Sequence, residues 1–206
     1  MTGLYARSRP DGKRVMDAAM RMFAALVLAV LLAGCGRAGW HMTDISGGSP
    51  RLEFHLARAS DGAAVGGDTY RGKVVALYFG YSHCPDICPT TLANLTDLAK
   101  RVGPDLQILF ITVDPARDTR AVLNEYAHAF TPQMEGLYGT ANQLADAARR
   151  YRVAYSVTPG PPYDVMHSNA VFFFDRSGKA RLVTTDTSNT AAMAQDVARL
   201  LAADRP

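Results

Sequence analysis

The junction between an apolar strand and the two cysteines that follow it constrains the fold of this chain most strongly. The run KVVALYFG, Lys73 to Gly80, is continuously apolar and has the length of a β-strand buried on both faces. Two cysteines, Cys84 and Cys88, follow it closely, and a helical pattern comes next. Proline is tolerated in the first turn of a helix but not in its interior. The sequence therefore predicts that the helix begins at Pro89, that Cys88 lies near its N-cap and that Cys84 lies in the preceding turn.

The rest of the chain alternates between strand and helix patterns. The predicted strands are Leu52–Ala57, Lys73–Gly80, Leu106–Asp114, Gln133–Gly139 and a hairpin flanking the turn Arg176–Lys179. The predicted helices are Thr91–Gly103, Asp118–Phe130, Ala141–Val153 and Ser188–Asp204, with Asp118 as a capping residue. This order predicts an α/β thioredoxin-like fold with a central mixed sheet, flanking helices and an inserted helix–strand segment at Asp118–Gly139.

The N-terminal region has the pattern of an export signal. Arg21 precedes the apolar run MFAALVLAVLLAGC, Met22 to Cys35, which is short for a membrane span of about 20 residues. Its end, LAGC, resembles a bacterial lipobox, in which cleavage precedes a cysteine that is then acylated. We therefore expect an extension and lipoprotein-type signal at 1–34, a Gly- and Ser-rich tether at 35–50 and one domain at 51–206. This predicts a lipoprotein of the bacterial cell envelope, anchored to the membrane at Cys35 with its domain in the periplasm; the alternatives are an uncleaved anchor or an ordinary signal.

Charge and cysteine content exclude two classes of protein. The formal net charge of +3 belongs to the first 34 residues, which carry five basic and two acidic side chains. The balanced remainder argues against a nucleic-acid-binding protein, whose affinity depends on phosphate neutralisation. After Cys35, the chain has only Cys84 and Cys88, too few for a disulfide scaffold in an oxidising compartment.

The cysteine pair is predicted to lie beside the positive end of a helix dipole, which favours thiolate over thiol. Three residues separate Cys84 from Cys88, one more than in the usual disulfide-exchange motif. The pair could be a structural disulfide, a redox couple or two metal ligands. Thiolates select Cu(I) or Zn(II) over harder cations, but a metal site needs a further ligand.

His167 is the candidate for that further ligand. It precedes the apolar strand AVFFF, and in a thioredoxin-like fold this position faces the cysteine loop. The other histidines are predicted to be exposed in the tether (His41), exposed on an edge strand (His55), a loop-orienting residue (His83) and a surface residue (His128).

The motif YFGYSHCPDICPTTL (Tyr78–Leu92), with ITVDPARDT (Ile111–Thr119) and the later His167, closely resembles the Sco/SenC family of copper proteins. The resemblance covers Leu52 to the C-terminus. It implies one copper per monomer, as Cu(I), Cu(II) or both, bound by Cys84, Cys88 and His167. It also implies a metallochaperone that helps assemble the copper centre of cytochrome c oxidase subunit II, supplied by another periplasmic copper donor. Many relatives have Asp before the metal histidine, whereas this chain has Met166, which puts Cu(II) affinity and partner docking in question.

Two alternative functions use the same cysteines. In a thiol–disulfide oxidoreductase, Cys84 and Cys88 would be catalytic and would reduce the acceptor's cysteines before metallation. A peroxidase-like enzyme would need activating Arg, Thr, Gln or Trp partners. The only tryptophan is Trp40, in the predicted tether, and no arginine lies close in sequence to the cysteine loop. The missing partners argue against the peroxidase-like enzyme, and the resemblance favours a copper-binding assembly protein. Because the same cysteines would serve both functions, the sequence alone does not separate copper binding from thiol–disulfide exchange.

Overall fold

The computed structural model describes Met22 and residues 39–203. The chain divides into two compact units, Met1–Gly39 and Trp40–Pro206. In the first, Met22 is helical and exposed, and the rest of the predicted signal, including Cys35, lies outside the described residues. Among the described residues no helix is long and apolar enough to span a membrane.

A mixed eight-stranded sheet forms the centre of the second unit, with strands in the order β1-β10-β9-β4-β5-β6-β2-β3. The strands are β1 (Thr43–Asp44), β2 (Leu56–Arg58), β3 (Ala64–Val65), β4 (Val74–Gly80), β5 (Leu106–Thr112), β6 (Met134–Tyr138), β9 (Val171–Phe174) and β10 (Ala180–Thr184). Strands β4, β5 and β6 are parallel neighbours, and the remaining pairs are antiparallel. The predicted central mixed sheet is therefore confirmed.

Within residues 39–203 four α-helices accompany the sheet. They are α1 (Ile87–Val102), α2 (Arg120–Phe130), α3 (Ala141–Arg150) and α4 (Thr190–Ala203). The predicted insertion corresponds to α2 and β6, and β6 joins the sheet beside β5. Asp118 does not cap α2, contrary to expectation. Thr119 is the N-cap, and its side chain accepts a hydrogen bond from the Val122 N–H.

Strands β4 and β5 position the candidate site. All seven residues of β4 are buried, as its uninterrupted apolar sequence predicts. The two strands pair in register from Val74 opposite Leu106 to Gly80 opposite Thr112, so they end together. The loops that leave them, one to α1 and one to α2, therefore start side by side at the carboxyl edge of the sheet, where open α/β sheets place their chemistry.

The segment Trp40–Pro50 differs from the expected tether. Strand β1 pairs with β10, and the compact unit begins at Trp40 rather than at Arg51. The buried Asp196 carboxylate on α4 accepts hydrogen bonds from the backbone N–H groups of His41 and Met42, at 2.8 Å each. The guanidinium of Arg199 lies 3.8 Å from the centre of the Trp40 ring. These partners lie about 155 residues away in sequence, so local composition could not indicate them.

A second, two-stranded sheet was not predicted. Strands β7 (Tyr155–Thr158) and β8 (Asp164–His167) form an antiparallel hairpin that pairs with no strand of the large sheet in the described part of the chain. His167 is the last residue of β8 and pairs with Tyr155. The candidate histidine therefore belongs to a separate hairpin.

Candidate metal centre

The start of α1 brings both cysteines to the carboxyl end of β4. The helix begins at Ile87, two residues earlier than predicted, so Cys88 and Pro89 both lie in its first turn. Proline is accepted there because the first N–H groups of a helix have no intrahelical partner. Cys84 lies in the preceding loop, and its sulfur accepts a hydrogen bond from the Cys88 N–H at 3.4 Å. Both thiols are free and buried.

The two thiols differ in acidity. Burial raises the pKa of Cys88 to about 12. Burial also acts to raise the pKa of Cys84, but hydrogen bonds from the backbone N–H groups of Asp86 and Cys88 outweigh it and lower this pKa below the ordinary thiol value. Bonds to sulfur from backbone N–H groups favour the thiolate. In the copper-free protein we therefore expect Cys84 to be the more reactive sulfur.

His167 meets the cysteines from the opposite side. Its Nδ1 is 2.9 Å from the Ser168 carbonyl oxygen, which can only accept a hydrogen bond. The proton therefore lies on Nδ1, and the Nε2 lone pair points toward the Cys88 sulfur at 3.2 Å. Burial lowers the pKa of His167, against a smaller opposing effect of the Ser168 carbonyl. A neutral imidazole with a fixed tautomer is the form that binds a metal ion.

The three candidate donors form one cluster. The sulfurs of Cys84 and Cys88 and a ring nitrogen of His167 lie within 4.8 Å of one another. Two sulfurs and one imidazole are a soft donor set that suits copper and zinc and is unsuited to magnesium or calcium. The donor set, which contains no carboxylate, is therefore chemically suited to copper.

Two tyrosines enclose the cluster, and sequence reasoning did not single them out. The ring centres of Tyr78 and Tyr81 lie 6.0 Å and 5.7 Å from that of His167, both in edge-on geometry. The Tyr78 hydroxyl is 3.7 Å from the Cys88 sulfur, and the Tyr81 hydroxyl donates to the Val165 carbonyl at 3.4 Å. Their only sequence signal is their place in YFGY, directly before the cysteines.

The other sequence candidates lie outside the three-donor cluster. Met166 is 65% exposed. Because side chains alternate along a strand, it lies on the face of β8 opposite His167. The remaining four histidines are exposed: His41, His55 and His128, as expected, and His83, which was predicted to orient the cysteine loop. The ring of His83 does contact the cysteine loop, with Nδ1 2.9 Å from the Ser82 hydroxyl.

Comparison with known proteins places this geometry in context. The SCO1/SenC family model matches residues 48–202. The mitochondrial protein SCO2 homolog of Bos taurus is 40% identical over 136 residues, which are 62% of this chain and 50% of that protein. The chain spans about half the length, or less, of the first curated relatives it matches.

Solved structures of Sco proteins are also similar to this chain. The crystal structure of yeast Sco1 with copper bound superposes with a TM-score of 0.68 at 35% identity, covering 77% of this chain and 91% of that one. Arabidopsis thaliana ScoI with copper bound gives a TM-score of 0.69 at 31% identity, covering 74% and 98%. These neighbours confirm the thioredoxin-like fold expected from the order of strands and helices.

Proposed function

The chain belongs to the SCO1/SenC family, and from that premise we propose that it is a copper chaperone acting in the assembly of cytochrome c oxidase. Its cargo is one copper ion, as Cu(I) or Cu(II), held by Cys84, Cys88 and His167. The recipient is the copper centre of oxidase subunit II, and another periplasmic copper protein is the donor. The observation that carries the proposal is the convergence of two sulfurs and one imidazole within 4.8 Å.

The geometry supports transfer as well as binding. Three protein donors leave a copper ion open to an additional ligand, so that an acceptor's ligand can bind before the first donor leaves. Both thiols are buried, but His167 is partly exposed and lines a surface pocket together with Tyr155 and Ser168. An acceptor can therefore approach the site from the side of the imidazole without unfolding of the domain.

The geometry favours copper over the alternative of disulfide reduction. Thiol–disulfide exchange needs two sulfurs, one of them a thiolate, and has no use for an imidazole nitrogen aimed at the second sulfur. Nε2 of His167 is 3.2 Å from the Cys88 sulfur, with its other nitrogen fixed by the Ser168 carbonyl. A metal ion gives this third donor a role.

We also propose that the domain is anchored to the membrane of a bacterial cell, on its periplasmic side, through a lipid on Cys35. The apolar run ending in LAGC supports this arrangement. In a bacterial host, metabolic labelling with a fatty acid is expected to mark the wild-type chain and a Cys84→Ser control equally and to leave Cys35→Ser unlabelled. Labelling of Cys35→Ser would contradict the anchor.

The transfer itself is tested with reduced, Cu(I)-loaded protein and a soluble, copper-free fragment of oxidase subunit II. The copper content of the fragment, measured by atomic absorption after it is separated from the chaperone, reports its metallation. Wild-type protein and His128→Ala, a variant of an exposed histidine on α2, are expected to metallate the fragment at equal rates. His167→Ala, supplied with the same total copper, is expected to be much slower. Equal rates for His167→Ala and wild type would contradict the proposal.

A further inference from the structure

Two buried carboxylates flank the turn between β5 and α2. Asp114 and Asp118 belong to the sequence DPARD, and their side chains are fully buried. A buried charge is costly unless it is paired and hydrogen-bonded. Asp114 is paired with Arg117, whereas Asp118 is stabilised by several hydrogen bonds, and the partners of the two carboxylates lie in different parts of the site.

Asp118 binds the cysteine loop. Its two oxygens lie 3.2 Å and 3.1 Å from the Ser82 backbone nitrogen, and the Ser82 hydroxyl donates to one of them at 2.5 Å. The Thr112 hydroxyl at the end of β5 donates to the other oxygen at 2.6 Å. Ser82 lies two residues before Cys84, so this carboxylate determines where the cysteine loop begins.

Asp114 binds the hairpin that carries His167. The Tyr163 hydroxyl donates to one of its oxygens at 2.7 Å, and Nε of Arg117 donates to the other at 2.5 Å. The Arg117 guanidinium also stacks on Tyr163, 3.9 Å from the ring centre. Tyr163 directly precedes β8, and His167 ends that strand.

The turn itself is closed by hydrogen bonds. The backbone N–H groups of Arg117 and Asp118 both donate to the Asp114 carbonyl, at 3.2 Å and 2.9 Å. The two carboxylates are therefore held at a fixed separation. The hairpin needs such support because an isolated two-stranded hairpin is marginally stable, and β7–β8 pairs with no strand of the large sheet among the described residues.

We infer that Asp114–Asp118 is a positioning frame for the metal centre. Asp118 holds the cysteine loop, Asp114 holds the hairpin through Tyr163, and the turn between them sets the distance from the sulfurs to the imidazole. The inference rests on the proposed function for its purpose, which is to keep three copper ligands together without copper. Its geometric part concerns the copper-free protein alone.

Two mild variants separate the two halves of the frame. Tyr163→Phe removes the hydroxyl that binds Asp114 and keeps the ring on Arg117. Ser82→Ala removes one hydroxyl bond to Asp118 and keeps the backbone bond. Tyr155→Phe is the matched control, because Tyr155 lies on the same hairpin and its hydroxyl makes no hydrogen bond within residues 39–203.

Amide hydrogen exchange of reduced, copper-free protein, followed by NMR, is the first measurement. In Tyr163→Phe the amides that pair β7 with β8 are expected to exchange on the order of tenfold faster, the effect of losing one hydrogen bond to a charged group. The Cys84 amide should be unaffected. Ser82→Ala should show the reverse pattern, and Tyr155→Phe should match wild type. Unchanged exchange in Tyr163→Phe, or equal loosening of hairpin and cysteine loop by either variant, would overturn the inference.

The rate at which Cu(I) is lost to a chelator is the second measurement. Tyr163→Phe and Ser82→Ala are both expected to lose copper faster than wild type and Tyr155→Phe. Wild-type rates in both variants, with exchange altered as expected, would overturn the link between frame and copper. Failure of the wild-type protein to bind copper would overturn the proposed function instead, and the exchange pattern would still decide the geometric part.

Discussion

Substituting Gly80 by alanine is a direct way to displace the Cys88 sulfur of the candidate site. Gly80 is the last residue of β4 and lies next to the side chain of Cys88. A Cβ added at this position would be 2.9 Å from the Cys88 sulfur and 2.7 Å from Cε2 of Phe110. Non-bonded heavy atoms are most stable about 3.5–4.0 Å apart, so the sulfur would have to retreat by roughly 0.6–1.1 Å.

Such a shift is large compared with the tolerance of a metal site, whose ligands must be held to about 0.5 Å. The Cys88 sulfur and His167 Nε2 are only 3.2 Å apart, so the shift changes the space between them substantially. We predict that Gly80→Ala lowers Cu(I) affinity on the order of tenfold to a hundredfold, the usual effect of disturbing the groups that orient metal ligands. Overpacking should also lower the free energy of unfolding by about 1–3 kcal/mol.

Gly136→Ala on β6 is the matched control. Its added Cβ would lie 2.7 Å from Cγ of Leu123, a side chain outside the candidate site. Urea unfolding should show comparable destabilisation in both variants, whereas competition with a Cu(I) chelator should show lost affinity in Gly80→Ala alone. Wild-type affinity in Gly80→Ala, or an equal loss in Gly136→Ala, would show that the position of the Cys88 sulfur does not determine copper affinity.

Three further predictions concern acidity and the N-terminal segment. Iodoacetamide should label Cys84 before Cys88 in the reduced protein, because hydrogen bonds lower the pKa of Cys84 while burial raises that of Cys88 to about 12; mass spectrometry showing Cys88 labelled first would contradict this. Burial acts to raise the pKa of Asp175, but hydrogen bonds in the β9–β10 turn outweigh it and lower the value. The ionised Asp175 carboxylate therefore stabilises the fold above the ordinary aspartate pKa, and this stabilisation is lost as the pH falls through the lowered pKa. Urea unfolding should show that the free energy of unfolding falls more steeply with acid in wild type than in Asp175→Asn. Parallel pH curves for the two proteins would contradict this. Asp196→Ala should lower the free energy of unfolding by about 1–3 kcal/mol and speed exchange of the β1 amides, because the N–H groups of residues 41–42 lose a buried acceptor; unchanged β1 exchange would count against that contact.

The parts of the fold that the sequence predicts well are those with strong local signals. Strand β4 is a continuous apolar run and is buried throughout, and the mainly apolar strand β5 is buried at every residue except Gln107, as expected. The start of α1 is within two residues of its prediction because Pro89 restricts the helix boundary. His167 could be proposed from its place before an apolar strand, and the structure does bring its ring to the cysteines.

The features that sequence reasoning missed depend on partners distant in the chain. The two strands of the hairpin β7–β8 are short, prolines occupy its turn, and its attachment comes from Tyr81 and Asp114. The segment from Trp40 looks like a tether because its binding partner, Asp196, is far away in sequence. The sequence position of Asp118 is typical of a helix cap, but its carboxylate instead accepts hydrogen bonds from the hydroxyls of Ser82 and Thr112. The local sequence pattern does not indicate these long-range contacts.

In the proposed metal centre, two sulfurs and one imidazole of this chain hold one copper ion. The most direct measurement is a Cu(I) titration of the reduced protein combined with X-ray absorption, comparing wild type with His167→Ala. We predict one copper per wild-type chain with two sulfur ligands and one nitrogen ligand, and loss of the nitrogen with weaker binding in His167→Ala. The same stoichiometry, affinity and ligand set in both proteins would contradict the three-donor site.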